Sequence, residues 1–160
     1  MIVVSNASPI INLAAIDRLH ILKDLFEKII IPDAVFEEIA IKGAGQPGAN
    51  EVKNLKWIEC QSVSNTTLKK VLQSDLDAGE AGAIALSMEV NADLLLIDEK
   101  IGRTIASQLG LKYIGVIGIL IYAKSKGIIP EIKPVLDDLI FKAGFWIDQK
   151  LYDRVLHFGK

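Results

Sequence analysis

Short aliphatic runs alternate along the chain with longer stretches in which apolar positions recur every three or four residues. Ile2-Val3-Val4-Ser5 is a β-branched run ending at Asn6, and reads as a buried first strand. Ser8 and Pro9 offer an N-cap and a first helical position for a helix carrying Ile10, Ile11, Leu13 and Ala14. Asp17 is placed to cap a second helix bearing Leu19, Leu22, Leu25 and Phe26. Residues 28–31 are strand-like, and Pro32 opens a helix predicted over 33–42. Residues 43–48 give the one clear flexible-loop signal. Residues 57–63 suit an edge strand.

The second half is more regular. A helix over 78–89 leads into Leu94-Leu95-Leu96-Ile97, an apolar run of the kind buried on both faces of a parallel sheet. A helix over 99–109 stops at Gly110, a residue suited to a helix C-terminus. Tyr113-Ile114 suggests another strand, and helices over 116–126, 131–142 and 148–157 finish the chain. Short strands alternating with amphipathic helices predict a three-layer α/β/α fold around a mainly parallel central sheet. No repeat, low-complexity tract or linker interrupts the pattern, so residues 1–160 are expected to form one domain.

Composition narrows the class. With 51% hydrophobic residues and a mean hydropathy of +0.35, the chain is neither disordered nor collagen-like. Its length allows a core that needs no disulfide or structural metal. The single cysteine, Cys60, excludes a disulfide framework and a Cys-based zinc cage, and suits a reducing cytosol. The apolar run at 114–123 is too short to cross about 30 Å of hydrocarbon. No basic segment precedes Ile2 as a signal peptide would require. The expectation is a cytoplasmic protein without membrane association. Eighteen basic against 20 acidic residues, a net charge of −2, argue against a general basic coat; any nucleic-acid contact must rest on a local patch.

Candidate chemistry follows from where the acids fall. In open α/β sheets, ligands bind beyond the carboxyl ends of the strands. Asn6 and Asp98 both occupy such positions, although a turn role for Asn6 and an N-cap role for Asp98 stay open. On the 33–42 helix, 100° per residue puts Val35 and Ile39 on the buried stripe, Glu38 beside it and Glu37 toward solvent. On the 78–89 helix Glu80 lies on the inward side with Ile84, and Asp77-x-x-Glu80 also reads as a capping box. An inward carboxylate is costly unless something neutralises it. Three carboxylates and a carboxamide from four elements can thus meet at one sheet edge, where their repulsion asks for a cation. Oxygen-only donors suit Mg²⁺ or Mn²⁺ rather than zinc.

The stretches that carry these residues resemble a known family. Val3-Val4-Ser5-Asn6-Ala7-Ser8-Pro9-Ile10-Ile11 looks like the opening of a PIN domain, and Ile31-Pro32-Asp33-Ala34-Val35-Phe36-Glu37-Glu38-Ile39 like its second motif. Leu76-Asp77-Ala78-Gly79-Glu80-Ala81 and Leu94-Leu95-Leu96-Ile97-Asp98-Glu99 complete the order. Gly102-Arg103 and Gly115-Val116-Ile117-Gly118 match the DUF3368 branch, which is related to VapC-type toxins. The resemblance implies a Mg²⁺- or Mn²⁺-dependent endoribonuclease cleaving single-stranded RNA. It places Asn6, Glu38, Glu80 and Asp98 on the four acidic positions, with Glu38, Glu80 and Asp98 catalytic. Asp77, Glu99, Arg103 and Ser8 become auxiliary candidates. For Arg103, phosphate binding or the orienting of an acid competes with a surface pairing to Glu99 at i,i+4. The toxin-like resemblance also implies a homodimer and a small antitoxin partner.

One residue departs from the pattern. The first position is ordinarily aspartate, and Asn6 brings no negative charge and cannot act as a base. The alternative reading is therefore a catalytically weakened PIN-fold module that binds RNA or an antitoxin. A small-molecule binder on a generic doubly wound fold is the third. A dinucleotide site is disfavoured because no Gly-rich turn follows the first strand. Residues 43–48 lack the Lys-Ser/Thr ending of a P-loop. Paired acids of the phosphoacceptor kind are missing at Ser5-Asn6. His20 is expected at a core edge, Cys60 as a small buried hydrophobe, and Trp57, Phe141, Phe145 and Trp146 as packing residues. Apolar residues are dense over 114–158, more than the flanking helices need, which predicts an interface.

Overall fold

The computed structural model describes residues 1–158. Five strands, β1 (Val3–Ser5), β2 (Ile29–Pro32), β3 (Ile58–Gln61), β4 (Leu94–Leu96) and β5 (Tyr113–Ile114), form one sheet in the order β3-β2-β1-β4-β5. Every pairing is parallel; Val4 stands opposite Ile30 on one side and Leu95 on the other. The chain builds outward from β1 to β2 and β3, then crosses back to lay β4 on the other side of β1. The order therefore reverses between β1 and β4, and the crevice beyond their carboxyl ends is the topological switch point of the sheet. Asn6 and Asp98 emerge there.

Period-two alternation sorts the core into two layers. Val3, Ile29, Ile31 and Leu96 face one layer, with Ile10 and Leu13 of α1 (Ala7–Ala15), Ile21 and Leu22 of α2 (His20–Phe26), Ile119 of α8 (Val116–Ser125), Leu136 of α9 (Ile132–Phe141) and Val155 of α10 (Gln149–Phe158). Val4, Ile30, Leu95 and Ile97 face the other, against Leu72 of α5 (Thr66–Leu72), Ile84 of α6 (Ala78–Glu89) and Ala106 of α7 (Lys100–Gln108). Helices cover both faces, as the predicted three-layer α/β/α architecture requires. No helix among the described residues is long and apolar enough to cross a membrane.

Several local expectations change. The N-cap of α1 is Asn6, not Ser8, because Asn6 keeps extended backbone while Ala7 already turns. Leu19 rather than Asp17 precedes α2; Asp17 takes φ 57° in the tight turn between the helices. The predicted 33–42 helix is α3 (Asp33–Phe36) running on as a π-helix, Glu37–Lys42. Two unforeseen helices are α4 (Ala49–Asn54) and α5. The first has the Glu51 carboxylate accepting from Gly48 N–H at 2.8 Å, the second Asn65 Oδ1 accepting from Leu68 N–H at 3.0 Å. His20 is exposed rather than at a core edge. Cys60 is exposed on edge strand β3, where its thiol donates to Asp33 at 3.1 Å; burial, then the Asp33 contact, pushes it up to about 12. Phe141 and Trp146 are 82% and 81% exposed, whereas Trp57 and Phe145 do pack against the core.

Candidate functional site

A cleft of about 470 Å³ opens at the switch point, lined by Asn6, Ser8, Glu38, Asp77, Glu80, Asp98 and Glu99, with Ile11 and Asn12 of α1 beside them. Seven of the eight residues singled out from the sequence thus share one cavity. The eighth, Arg103, reaches it from behind: its Nη2 lies 3.6 Å from Asp98 Oδ1. The Glu99 pairing at i,i+4 does not form, because Glu99 caps α7 by accepting from Gly102 N–H at 2.6 Å, while Arg103 Nε donates to Ile97 O at 3.1 Å. Asn12 had no signal beyond its i,i+4 spacing from Ser8, whose hydroxyl it meets at 3.3 Å.

Each side chain is delivered by a separate piece of local chemistry. Asn6 N–H donates to Leu96 O at 2.9 Å, which ties the end of β1 to β4, and its side chain makes no helix-cap hydrogen bond. The π-helix sets Glu38 half-buried between exposed Glu37 and buried Ile39. Asp77 and Glu80 form the full capping box: Asp77 Oδ1 accepts from Glu80 N–H at 2.8 Å and Glu80 Oε1 accepts from Asp77 N–H at 3.0 Å. Asp98 does not cap the helix that follows it. Its Oδ1 accepts from Val116 N–H at 2.9 Å, the first residue of α8, and Oδ2 accepts from the Ser8 hydroxyl at 3.3 Å.

Small residues let α6 lie close against the elements that carry these groups. A Cβ at Gly82 would touch the Pro32 ring at 3.4 Å. One turn earlier, a Cβ at Gly79 would lie 2.9 Å from Glu38 Oε1 and 3.5 Å from both Asn6 Oδ1 and Asp77 Oδ1. Three oxygens therefore surround the space that the missing side chain leaves.

Glu38, Glu80 and Asp98 are held above their ordinary values. Burial raises Glu38, with the Asp77 charge adding and Lys42 opposing. Burial also raises Glu80, to about 7. Asp98 is raised by burial against the lowering effects of Val116 N–H, Arg103 and Ser8. Burial penalises the ionised form of each, a cost that a nearby cation would offset. Among the described residues, no three His, Cys, Asp or Glu side chains are gathered tightly enough to hold a metal ion as they stand. The acids ring the cleft instead of converging within it. The donor set nonetheless fits a hard cation: all oxygen, raised by burial, around a gap lined by oxygens.

A family model described as a PIN domain, DUF3368, matches residues 2–159. No curated protein matches the chain. The chain belongs to this PIN-domain family, and its architecture is of the nuclease type that PIN domains share.

Proposed function

We propose that the protein is a divalent-metal-dependent endoribonuclease of the PIN, VapC-toxin type, acting on single-stranded RNA with Mg²⁺ or Mn²⁺. The observation that carries this reading is that Glu38, Glu80 and Asp98 line one cleft at the switch point, each raised by burial. In this reading Glu38, Glu80, Asp98 and Asn6 would hold the ion. When bound, such an ion would supply Lewis-acid activation of water and charge stabilisation at phosphorus. Asp77 fixes Glu80 through the capping box, and Ser8 orients Asp98 Oδ2. Glu38 Oε1, beside the gap at Gly79, would help to orient the attacking water. A chain-side alternative, a weakened module that binds RNA or an antitoxin, is favoured by one observation: the first acidic position is Asn6.

We take the molecule to act in the cytoplasm as a homodimer, captured by a small antitoxin. Exposed Phe141 and Trp146 support the interface part of that reading. The test is incubation of labelled single-stranded RNA with purified protein in Mn²⁺ or in EDTA, beside Glu38→Gln and Asp98→Asn. Asp98→Asn keeps an oxygen for the Val116 N–H, so it separates lost charge from lost structure. Cleavage in Mn²⁺ that EDTA and both substitutions abolish supports the enzyme. RNA binding without cleavage under every condition supports the binding module.

A further inference from the structure

Next to Asp98, and sharing no lining residue with the acid cleft, a second cavity of about 320 Å³ is lined by Arg103, Tyr113, Gly115, Ile117, Gly118 and others. Arg103 is the hinge between the two. Its guanidinium reaches toward Asp98 at 3.6 Å, beyond good hydrogen-bond distance, and Cζ sits 5.9 Å from the Tyr113 ring centroid. Only Nε–H is spent on the backbone, at Ile97 O, and the side chain is 38% exposed. A planar fork of N–H donors is thereby fixed in place with donors to spare. Gly115 makes the close approach possible: a Cβ there would fall 2.1 Å from Arg103 Nη2 and 2.3 Å from Asp98 Oδ1. Tyr113 stands on edge strand β5, so its ring is only half-buried.

A polyanion entering a cleft of carboxylates on a chain of net charge −2 needs a local cation and a surface for its bases. We infer that the Arg103–Tyr113 cavity is a nucleotide subsite for the RNA strand as it leaves the acid cleft, with Arg103 on a backbone phosphate and Tyr113 stacking on the adjoining base. This inference rests on the reading of the protein as a nuclease acting on single-stranded RNA. Arg103 matches phosphate geometry through paired N–H donors. Base stacking on an aromatic ring is indifferent to sequence, which suits a general positioning site. The cavity is of a size that takes a single nucleotide unit.

Tyr113 does not touch the acid cleft, so it isolates the claim. Fluorescence anisotropy with a labelled single-stranded RNA decamer in EDTA is compared for wild type, Tyr113→Phe and Tyr113→Leu, each checked for an unchanged melting temperature. Tyr113→Leu is expected to weaken binding about tenfold and Tyr113→Phe less than about twofold. In parallel, RNA carrying 4-thiouridine is irradiated on wild type and the adduct mapped by mass spectrometry, with the label expected on the peptide holding Tyr113. Equal affinity for wild type and Tyr113→Leu, or adducts mapping only elsewhere, overturns the subsite. If wild type still cleaves RNA in Mn²⁺ after that result, the nuclease reading stands without the subsite. If wild type neither binds nor cleaves RNA, both fall together.

Discussion

At position 6 the cleft holds a carboxamide 6% exposed, with its Oδ1 facing the same space as Glu38 Oε1. Asn6→Asp adds a negative charge among groups that already repel one another. In EDTA the variant is expected to melt below wild type. In Mn²⁺ the order changes, because tenfold tighter binding adds about 1.4 kcal/mol. The Mn²⁺-induced rise in melting temperature should then exceed that of wild type by about 3–5 °C. An equal or smaller rise would take Asn6 out of the ion's surroundings. Glu80 gives a second test through pH. Its folded-state value near 7 lies above the ordinary 4.5, so the folded protein keeps the proton longer than the unfolded chain does. Stability therefore falls as pH rises from about 4.5 to 7 and levels off beyond. Thermal melts of the metal-free protein should show that decline, and Glu80→Gln should flatten it. A decline of the same slope in Glu80→Gln would assign it to Glu38 and Asp98 alone, both of which shift the same way.

Among the elements, the π-helix carries the most consequence for the site. Its wider turn sets Glu38 toward the cleft and closes on Gly43, where a Cβ would fall 2.7 Å from Ile39 O and 3.0 Å from Glu38 O. Those are backbone atoms that cannot swing aside, so Gly43→Ala is expected to cost about 1–3 kcal/mol in a denaturant melt. Loss of Mn²⁺ affinity should accompany it; an unchanged midpoint would mean that the turn absorbs the methyl. The same segment shows what a sequence does and does not disclose. Period-3.6 arithmetic placed Glu37 outward and Glu38 at the core edge, which holds, yet nothing in Glu37-Glu38-Ile39-Ala40 announces a π turn, a rare widening whose packing neighbours, α4 and α1, lie outside the segment. The Asp77–Glu80 box was legible since both of its bonds are local. The Asp98–Val116 cap was not, since its partners stand 18 residues apart. Helix α5 left a local signal, Asn65 three residues before Leu68, that apolar periodicity alone passed over.

Across the whole molecule, strand order was beyond the reach of pattern, but the alternation of strands and helices was enough to imply parallel pairing and a crevice at the strand ends. The exposed aromatics show the opposite limit: Phe141 and Trp146 have the composition of core residues, and only the folded surface reveals that nothing among the described residues covers them. If a second copy covers them, light scattering should give a mass that rises toward the dimer with concentration. Phe141→Ser with Trp146→Ser should hold the monomer mass throughout; a wild-type monomer at every concentration would leave the homodimer without support. The central claim, that the ring of acids at the switch point holds a divalent ion, is met most directly by calorimetric titration of Mn²⁺ into wild type and Glu38→Gln. The account predicts saturable binding to wild type and binding on the order of tenfold weaker to Glu38→Gln, whose lost charge faces the gap at Gly79. Superimposable isotherms, or no heat of binding to wild type at millimolar Mn²⁺, would contradict it.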